Sequence, residues 1–514
     1  MAAFGCIADV QPAKFQSENP IVRFSPKRTF GRPKLGDSER LLSASSGHWN
    51  RLAYDRASAS ACRFGPDHWA TKRLGCITVL IPRARWNSPP NNHSLKDRVS
   101  QSLQGEKMKQ GKHWFVGSFF LVLALSFHLP VLAQENSSPF SQSSPEEVGM
   151  SSERLRDLVN TVQEWVDNDE IVGAVMLVIR HDKVVLHEAV GWNDRENNIP
   201  MEVGNILQMR SMTKPLVGTA ILMLMEEGRL LLNDKVSQYL PSFSADNPRS
   251  EDITIYQLLT HTSGIPGNDM LGEFVSLPGE RATSLGEYVD AVGSQGPYVE
   301  PGTEFHYSDR SPRVLAELIE EISGVPTEDF IQQRILNPLQ MEDSFFNHTR
   351  PDDQRMLRVA AAYRGEPGNW EQVFDSSQLP QRQYFEAAWG LFSTAMDYGK
   401  FMGMMLNGGQ SGTRQLLSPL TVKLATSPHS EYVYDAASLR ETWAFYGLYW
   451  SVLSDKYRLI PGLQSSGSFG HNGGQGTDAW VDPQQDLIFI YLTQSWADQT
   501  RRRFVELVHA AIVE

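Results

Sequence analysis

The sequence predicts a mixed α/β fold, in which an antiparallel sheet is covered by helices from both ends of the chain. Strand-like runs at 174–179 and 183–186 are joined by His181-Asp182, which is typical of a hairpin. Apolar residues recur at helical spacing from Leu155 to Trp165, just before this hairpin, and again over 501–513. Helices next to strands at both ends of this region therefore indicate an antiparallel sheet covered by terminal helices.

A helical region with long loops is predicted between these ends, from about residue 205 to about 430. One of its helices begins near Pro215, because proline is tolerated only in the first turn, and ends at Gly228. Thr254 and Gln257 have the spacing of a capping box. The sequence shows no repeat, phosphate-binding glycine loop or metal-ligand cluster, and Gly-x-Ser-x-Gly, the motif of α/β-hydrolases, is absent.

Charge and cysteine content set residues 1–107 apart from the rest of the chain. They hold 17 of the 47 Lys and Arg residues, 8 of the 60 acidic residues and all three cysteines. Because they lack hydrophobic periodicity, we expect a disordered region or an untranslated upstream extension. The acidic remainder argues against nucleic acids and anionic membrane surfaces as partners.

Residues 108–133 have the composition of a secretory signal peptide. Met108 opens a basic start, an apolar run follows from 114 to 132, and small residues precede a cleavage site after Ala133. We therefore expect translation to begin at Met108 and the product to be periplasmic or secreted. A membrane anchor at 114–132 is the alternative, although Pro130 breaks the run and its core is short for a span.

Two further segments complete the predicted organisation. Residues 134–148, which are rich in Ser, Gln and Pro, are predicted to be a flexible linker, and residues 149–514 a catalytic domain. Cleavage after Ala133 would leave no cysteine, so an exported domain would depend on its hydrophobic core for stability.

Ser211 and Lys214 are the first candidate site residues. Their spacing places both side chains on one face at the start of the helix that contains Pro215. A serine hydroxyl needs a neighbouring base to act as a nucleophile, and a lysine with a lowered pKa can be that base. The helix N-terminus also favours developing negative charge. A buried structural helix with an ordinary capping serine is the alternative.

Two later segments carry further candidates. Tyr307 lies between the turn at 301–303 and a predicted helix, where loop residues are held by a scaffold. Residues 470–477 contain four glycines and precede strand-like residues, which indicates a strand edge that another group approaches closely. A core tyrosine and a tight turn are the structural alternatives, but three such segments in this order favour a site.

The order Ser-x-x-Lys, Tyr-x-Asp, His-x-Gly resembles the serine β-lactamase and penicillin-binding protein superfamily. The chain is most similar to the class C β-lactamase-related group, which includes D-alanyl-D-alanine peptidases and carboxylesterases, and the resemblance covers about residues 145–514. It implies that Ser211 is acylated and that Lys214 takes or relays its proton. It also implies that Tyr307 shares the base role and helps to protonate the leaving group.

The resemblance also assigns the glycine-rich segment. It places His471 at the third-motif position and Gly473 as the glycine of that motif, and it implies that both, with Asp309, belong to the substrate-binding and oxyanion set. It also implies that the backbone N–H of Gly474 forms an oxyanion hole with that of Ser211. Asp309 stands where β-lactamases have an asparagine, and an ionised carboxylate cannot donate a hydrogen bond. We expect His471 to be partly charged at neutral pH. Both departures favour an esterase or another acyl hydrolase over efficient β-lactam hydrolysis.

The sequence therefore predicts an exported serine acyl hydrolase that acts through an acyl-enzyme on Ser211. Its substrate is expected to be a small ester, amide or cell-wall peptide, and no metal or organic cofactor is required. Carboxylesterase or D-alanyl-D-alanine peptidase activity is preferred to true β-lactamase activity. A non-catalytic relative that binds cell-wall peptide is the alternative from another class, and the oligomeric state is open. His261 and Trp389 are expected to be structural residues.

Overall fold

The computed structural model describes most of the chain from Pro139 onward, within one compact unit that spans Leu123–Glu514. The described residues are 139–245, 247–267, 282–346, 354–375, 377, 383–434, 444–455, 462–495 and 498–514. The predicted upstream extension and signal peptide lie outside them. Over the described ranges, no helix has the length and apolar character needed to span a membrane.

The strands of the described residues form one large sheet and three smaller ones. They are β1 Ser141–Gln142, β2 Gly173–Arg180, β3 Lys183–Asp194, β4 Ile199–Pro200, β5 Leu207–Gln208, β6 Phe345–Phe346, β7 Ala362–Glu366, β8 Asn369–Phe374, β9 Leu391–Ser393, β10 Gln410–Ser411, β11 Arg414–Gln415, β12 Phe445–Tyr446, β13 Ser451–Val452, β14 Phe469–Asn472, β15 Asp478–Asp482 and β16 Leu487–Thr493. The large sheet has the order β1-β3-β2-β16-β15-β14-β13-β12, with β4 added to β3. All its pairs are antiparallel except β1 with β3.

The helices fall into the predicted terminal pair and a central group. They are α1 Ser152–Asp167, α2 Lys214–Glu226, α3 Ser242–Ala245, α4 Ile255–Leu259, α5 Leu285–Gln295, α6 Arg310–Ser323, α7 Thr327–Ile331, α8 Ala395–Leu406, α9 Pro419–Ala425 and α10 Asp498–Ala510. Helices α1 and α10 contact each other, whereas α8 packs on β2 and β16. The predicted antiparallel sheet with terminal helices and a helical region is therefore confirmed.

Strand β2 shows how one sheet separates two hydrophobic cores. All eight of its residues are buried, and successive side chains point to opposite faces. Val175, Leu177 and Ile179 enter the core shared with the helical region. Ala174, Met176 and Val178 enter the core under α1 and α10. The β2–β3 connection is the predicted hairpin, and both of its turn residues, His181 and Asp182, have positive φ.

The predicted linker at 134–148 differs from the structure in its described part, because the fold already begins before residue 149. Strand β1 pairs with β3, and Pro145–Val148 form a 3₁₀ helix. The Phe140 ring is buried against Gly403 of α8, where an added Cβ would lie 2.6 Å from the ring. Burial of one aromatic ring and a short parallel pairing thus outweigh the polar composition of this segment.

A buried carboxylate fastens the C-terminal helix to the sheet. Asp482 at the end of β15 accepts hydrogen bonds from the Ser465 N–H at 2.8 Å and from His509 Nε2 at 3.2 Å. The other ring nitrogen of His509, Nδ1, lies 2.8 Å from the Val505 carbonyl oxygen, so both ring nitrogens are engaged. Burial raises the pKa of Asp482, but hydrogen bonds from His509 and Ser465 outweigh burial and leave this pKa below its ordinary value.

We expect Asp482→Asn to lower the free energy of unfolding by about 3 kcal/mol at pH 7, because it removes a buried carboxylate that accepts hydrogen bonds from Ser465 and His509. The folded pKa of Asp482 lies below its unfolded value. The stabilisation is therefore present above about pH 4 and is lost as the pH falls through the folded pKa. Urea unfolding at several pH values measures both effects. Asp486→Asn, which removes an exposed partner of His181, is the matched control and should change stability by less than about 0.5 kcal/mol.

Candidate active site

The backbone before α2 presents Ser211 at a helix start. Residues Arg210–Thr213 form a 3₁₀ helix that continues directly into α2, as the position of Pro215 predicted. Arg210 has φ 53°, which a non-glycine residue rarely adopts. The segment is held on two sides, because the Met209 N–H donates to the Leu391 carbonyl and Tyr398 Oη donates to the Met212 carbonyl.

Lys214 is fully buried and is surrounded by three acceptors. Its Nζ lies 3.0 Å from Ser211 Oγ, 2.8 Å from Asp309 Oδ1 and 3.1 Å from the Ala388 carbonyl oxygen. An ammonium group has three N–H donors, so its protonated form is satisfied here. When Nζ is neutral, the Ser211 hydroxyl can donate to it instead. The geometry therefore permits proton transfer between these two groups.

Two opposing effects act on the pKa of Lys214. Burial lowers it, whereas the charge and hydrogen bond of Asp309 raise it, and the result lies below the ordinary lysine value. Asp309 therefore limits the fraction of Lys214 that is neutral. The net lowering of the Lys214 pKa agrees with the base role, which requires a lowered pKa.

Tyr307 lies on the loop before α6, with its ring centroid 4.7 Å from Lys214 Nζ. Burial and the nearby Asp309 raise the pKa of its phenol well above the ordinary value, although a hydrogen bond with Ser211 opposes this shift. The phenol is therefore neutral near pH 7. A neutral phenol can pass a proton to a leaving group, whereas its use as a tyrosinate base is electrostatically disfavoured.

A buried ion pair supports these residues from behind and was not found by sequence reasoning. Arg313 of α6 donates to Glu386 at 2.7 Å and to the Asp309 carbonyl oxygen at 2.8 Å. Glu386 in turn accepts from the Ala388 N–H at 3.0 Å. The pair therefore joins the backbones of two residues that contact Lys214. In the sequence, Arg313 and Glu386 resemble ordinary helix and loop charges, and nothing marks them as partners.

His471 differs from the expected partly charged group. Its side chain is 1% exposed, and burial, with a contribution from Lys214, lowers its pKa to about 3. Nδ1 lies 2.8 Å from the Asn472 carbonyl oxygen, and Nε2 lies 3.1 Å from Tyr446 Oη. The ring is therefore neutral at pH 7. The expectation failed because β13 and β15 enclose β14, which the residue types alone do not predict.

The two glycines after His471 lie beside the nucleophile segment. A Cβ at Gly473 would stand 2.4 Å from the Met209 carbonyl oxygen and 2.1 Å from Thr477 Oγ1, so only glycine fits. Gly474 is exposed, and the nearest atom to its Cβ position is Arg210 Nε at 3.8 Å. This closeness agrees with the predicted oxyanion role of Gly474, which stays a prediction.

Aromatic rings also pack against Tyr307. The His261 ring centroid lies 4.6 Å from that of Tyr307, and His261 Nδ1 accepts from the Ser308 N–H at 3.2 Å. His261 is thus a structural histidine, as expected, but it serves the second motif directly. Trp389 is not a core residue: it is partly exposed, and the Arg210 guanidinium stacks on it at 5.4 Å.

The structure thus brings the side chains of four predicted site residues close together: Ser211, Lys214, Tyr307 and Asp309. His471 lies beside Tyr307, and its ring centroid is 6.4 Å from that of Tyr307. Among the residues that the structure describes, no group of three or more His, Cys, Asp or Glu side chains could hold a metal ion.

Comparison with known proteins agrees with this geometry. The Beta-lactamase family model matches residues 158–512. Protein Rv1367c of Mycobacterium tuberculosis is 30% identical over 372 residues, which cover 66% of this chain and 89% of that protein. A putative D-alanyl-D-alanine carboxypeptidase of Escherichia coli is 26% identical over 385 residues, which cover 69% of this chain and 85% of that protein. The solved structure of EstCE1, described as a hydrolase with promiscuous acyltransferase activity, matches with a TM-score of 0.60 at 23% identity. The match covers 70% of this chain and 99% of EstCE1.

The fold is that of the β-lactamase and transpeptidase class, and the family and its neighbours point to a serine hydrolase of this superfamily. The chain belongs to the beta-lactamase family. The resemblance inferred from the three motifs is thereby confirmed.

We expect Asp309→Asn to move the pH dependence of acyl transfer toward lower pH. Asp309 raises the pKa of Lys214, so loss of its charge lets Lys214 lose its proton at a lower pH. The acid limb of kcat/KM for an ester substrate measures this change. Asp343→Asn, which removes the partner of Arg358 elsewhere in the fold, should leave the limb in place. An acid limb that stays unchanged in Asp309→Asn would show that Lys214 is not the titrating base.

Proposed function

We propose that this chain is a serine acyl hydrolase that cleaves small neutral esters through an acyl-enzyme on Ser211. The single observation that carries the proposal is the fully buried Lys214 amine, 3.0 Å from the Ser211 hydroxyl and 2.8 Å from Asp309. Such an amine activates a nucleophile, which a purely binding relative would not need.

The proposed reaction starts when the neutral fraction of Lys214 takes the Ser211 proton as Ser211 Oγ attacks the ester carbonyl. Backbone N–H groups of Ser211 and Gly474 would stabilise the oxyanion, each by a few kcal/mol. The alkoxide leaves with a proton passed from Lys214 through the Tyr307 phenol. Water then attacks the acyl-enzyme and gives a proton to Lys214. As the bond between the acyl group and Ser211 Oγ breaks, Lys214 returns this proton to Ser211. Every group returns to its starting state.

The preference for a neutral ester rests on the third motif. The third motif itself offers no cation for a substrate carboxylate, because the His471 ring is neutral and almost fully buried. Asp309 also adds a negative charge beside Lys214, which disfavours anionic substrates. These observations support an esterase over an enzyme that acts on penicillins.

A carboxylate-bearing D-amino-acid peptide is the second candidate substrate. It is favoured by the position of Arg210, whose Nε is 3.8 Å from the Cβ position of Gly474. The relative from Escherichia coli is named a putative D-alanyl-D-alanine carboxypeptidase. Arginine is well suited to bind a carboxylate in two-point contact. We also propose that the protein acts after export, on the basis of the predicted signal peptide at 108–133.

Ser211→Ala should lower p-nitrophenyl butyrate hydrolysis by about 10³-fold or more, because the nucleophile is lost. Intact mass measured during turnover should show an acyl adduct in the wild type and none in the variant. Incubation with a fluorescent penicillin should label the wild type slowly or not at all. Ser237→Ala, which removes a surface hydroxyl, is the control and should retain full activity. Turnover that persists in Ser211→Ala would refute the assigned nucleophile.

A matched pair of esters separates the two candidate substrates. We expect the wild type to prefer p-nitrophenyl butyrate to p-nitrophenyl hemisuccinate, and Arg210→Gln to change kcat/KM for butyrate by less than about threefold. The second candidate predicts the reverse preference, with a selective loss for hemisuccinate in Arg210→Gln. Arg414→Gln removes an exposed cation on β11 and controls for general charge effects.

A further inference from the structure

We propose that Tyr446 and His471 act as a pair of positioning residues, which hold the Tyr307 phenol against Ser211 for proton transfer. Neither residue would touch the substrate. This inference rests on the proposed function, because it assigns the pair to the proton-transfer step. It also gives the third-motif histidine a different task from the substrate-binding one that the resemblance implied.

The hydrogen bonds of His471 fix which ring nitrogen carries the proton. Nδ1 faces the Asn472 carbonyl oxygen at 2.8 Å, and a carbonyl oxygen can only accept, so Nδ1 bears the hydrogen. In the neutral ring, Nε2 is then an acceptor. It lies 3.1 Å from Tyr446 Oη, which therefore donates its own hydrogen to His471. With both nitrogens engaged and 1% exposure, the imidazole has no donor or acceptor left for a substrate.

Tyr446 carries this constraint from His471 to Tyr307. Its hydroxyl is tied to His471, and its ring meets the Tyr307 ring edge to face, with 6.1 Å between centroids. The short strand β12 holds the Tyr446 backbone through its pairing with β13. A side chain fixed at both its backbone and its hydroxyl cannot swing away. Its ring therefore forms a stationary wall behind the catalytic phenol.

His261 is the second fixed ring that packs against Tyr307, and it lies beside Tyr446. The His261 ring is 4.6 Å from Tyr307 and 5.2 Å from Tyr446, and its Nδ1 holds the Ser308 N–H next to Tyr307 in the chain. Tyr307 itself is partly exposed and follows a loop, which alone would leave several rotamers accessible. The two adjacent rings reduce the number of positions open to the phenol, which hydrogen-bonds with Ser211.

This arrangement matters because a phenol with a raised pKa transfers a proton only when its oxygen is correctly placed. Displacement of a reacting group by about 1 Å can cost about 10²-fold in rate. Loss of one hydrogen bond behind Tyr307 should therefore lower kcat while ground-state binding, and hence KM, stays almost unchanged.

A kinetic cycle with Tyr307 tests the proposal. Tyr446→Phe keeps the ring but removes the hydroxyl, and we expect kcat for p-nitrophenyl butyrate to fall about tenfold with KM within about twofold. In a Tyr307→Phe background, the same change should have no further effect. Equal losses in both backgrounds, or no loss in the wild-type background, would overturn the proposal.

Three further variants exclude simpler explanations. Tyr434→Phe removes a hydroxyl from a neighbouring ring that contacts Phe305 rather than Tyr307, so its kcat should match the wild type. His471→Gln keeps an acceptor for Tyr446 and a donor for Asn472, and should retain more activity than His471→Leu. If His471→Gln and His471→Leu lose activity equally and mainly through KM, His471 binds substrate directly and the proposal is wrong.

A spectroscopic measurement tests the same pair without turnover. Long-range ¹⁵N–¹H correlation spectra of the wild type should show His471 with Nδ1 protonated and Nε2 unprotonated between about pH 5 and 9. Tyr446→Phe should shift the Nε2 resonance toward that of a nitrogen without a hydrogen-bond donor. Titration of His471 near pH 6.5, or the other tautomer, would refute the inference. Absence of ester hydrolysis in a wild type with the expected spectra would instead refute the proposed function.

Discussion

The structure depends on one constraint, the placement of an amine in a site without water contact beside a serine hydroxyl. A buried ammonium is costly, and that cost is what lowers the pKa of Lys214. If burial acted alone, the pKa of Lys214 would fall further, and its neutral amine would be a weaker base. Asp309 supplies the opposing charge at 2.8 Å, and the Ala388 carbonyl oxygen fills the third donor direction. The Arg313–Glu386 pair then holds the backbones on which both acceptors depend.

Burial and the nearby Lys214 charge also explain why His471, in the third motif, is neutral. Lys214 already brings a buried positive charge close to His471, and a second buried cation a few ångströms away would repel it. A neutral imidazole avoids this repulsion and leaves Nε2 free to accept from Tyr446. A cation does lie close by, because the Arg210 guanidinium stacks on Trp389 and its Nε is 3.8 Å from the Cβ position of Gly474. The charge pattern of the cleft thus differs from what the motif letters suggest.

Local patterns predicted the parts of the molecule that depend on neighbouring residues in the chain. The β2–β3 hairpin, the capping box at Thr254 and Gln257, and the helix start at Ser211 each follow from spacing over a few positions. The Tyr446–His471 bond and the Arg313–Glu386 pair join residues 25 and 73 positions apart, and no local rule selects such partners. The neutrality of His471 and the burial of Phe140 were missed for a related reason, since both result from elements that pack around them only in the folded chain.

The site also joins the two halves of the fold, and this explains the backbone strain at Arg210. Ser211 belongs to the helical region, whereas Gly473 and Gly474 follow a strand of the sheet. The halves meet where Thr477 Oγ1 donates to the Met209 carbonyl at 3.2 Å, and there is no room for a side chain at Gly473. A strained φ persists only where the surroundings leave no alternative, and here β9 on one side and the 473–477 turn on the other remove the alternatives. The distance between the two backbone N–H groups proposed for the oxyanion is therefore set by packing between sheet and helices, and not by either segment alone.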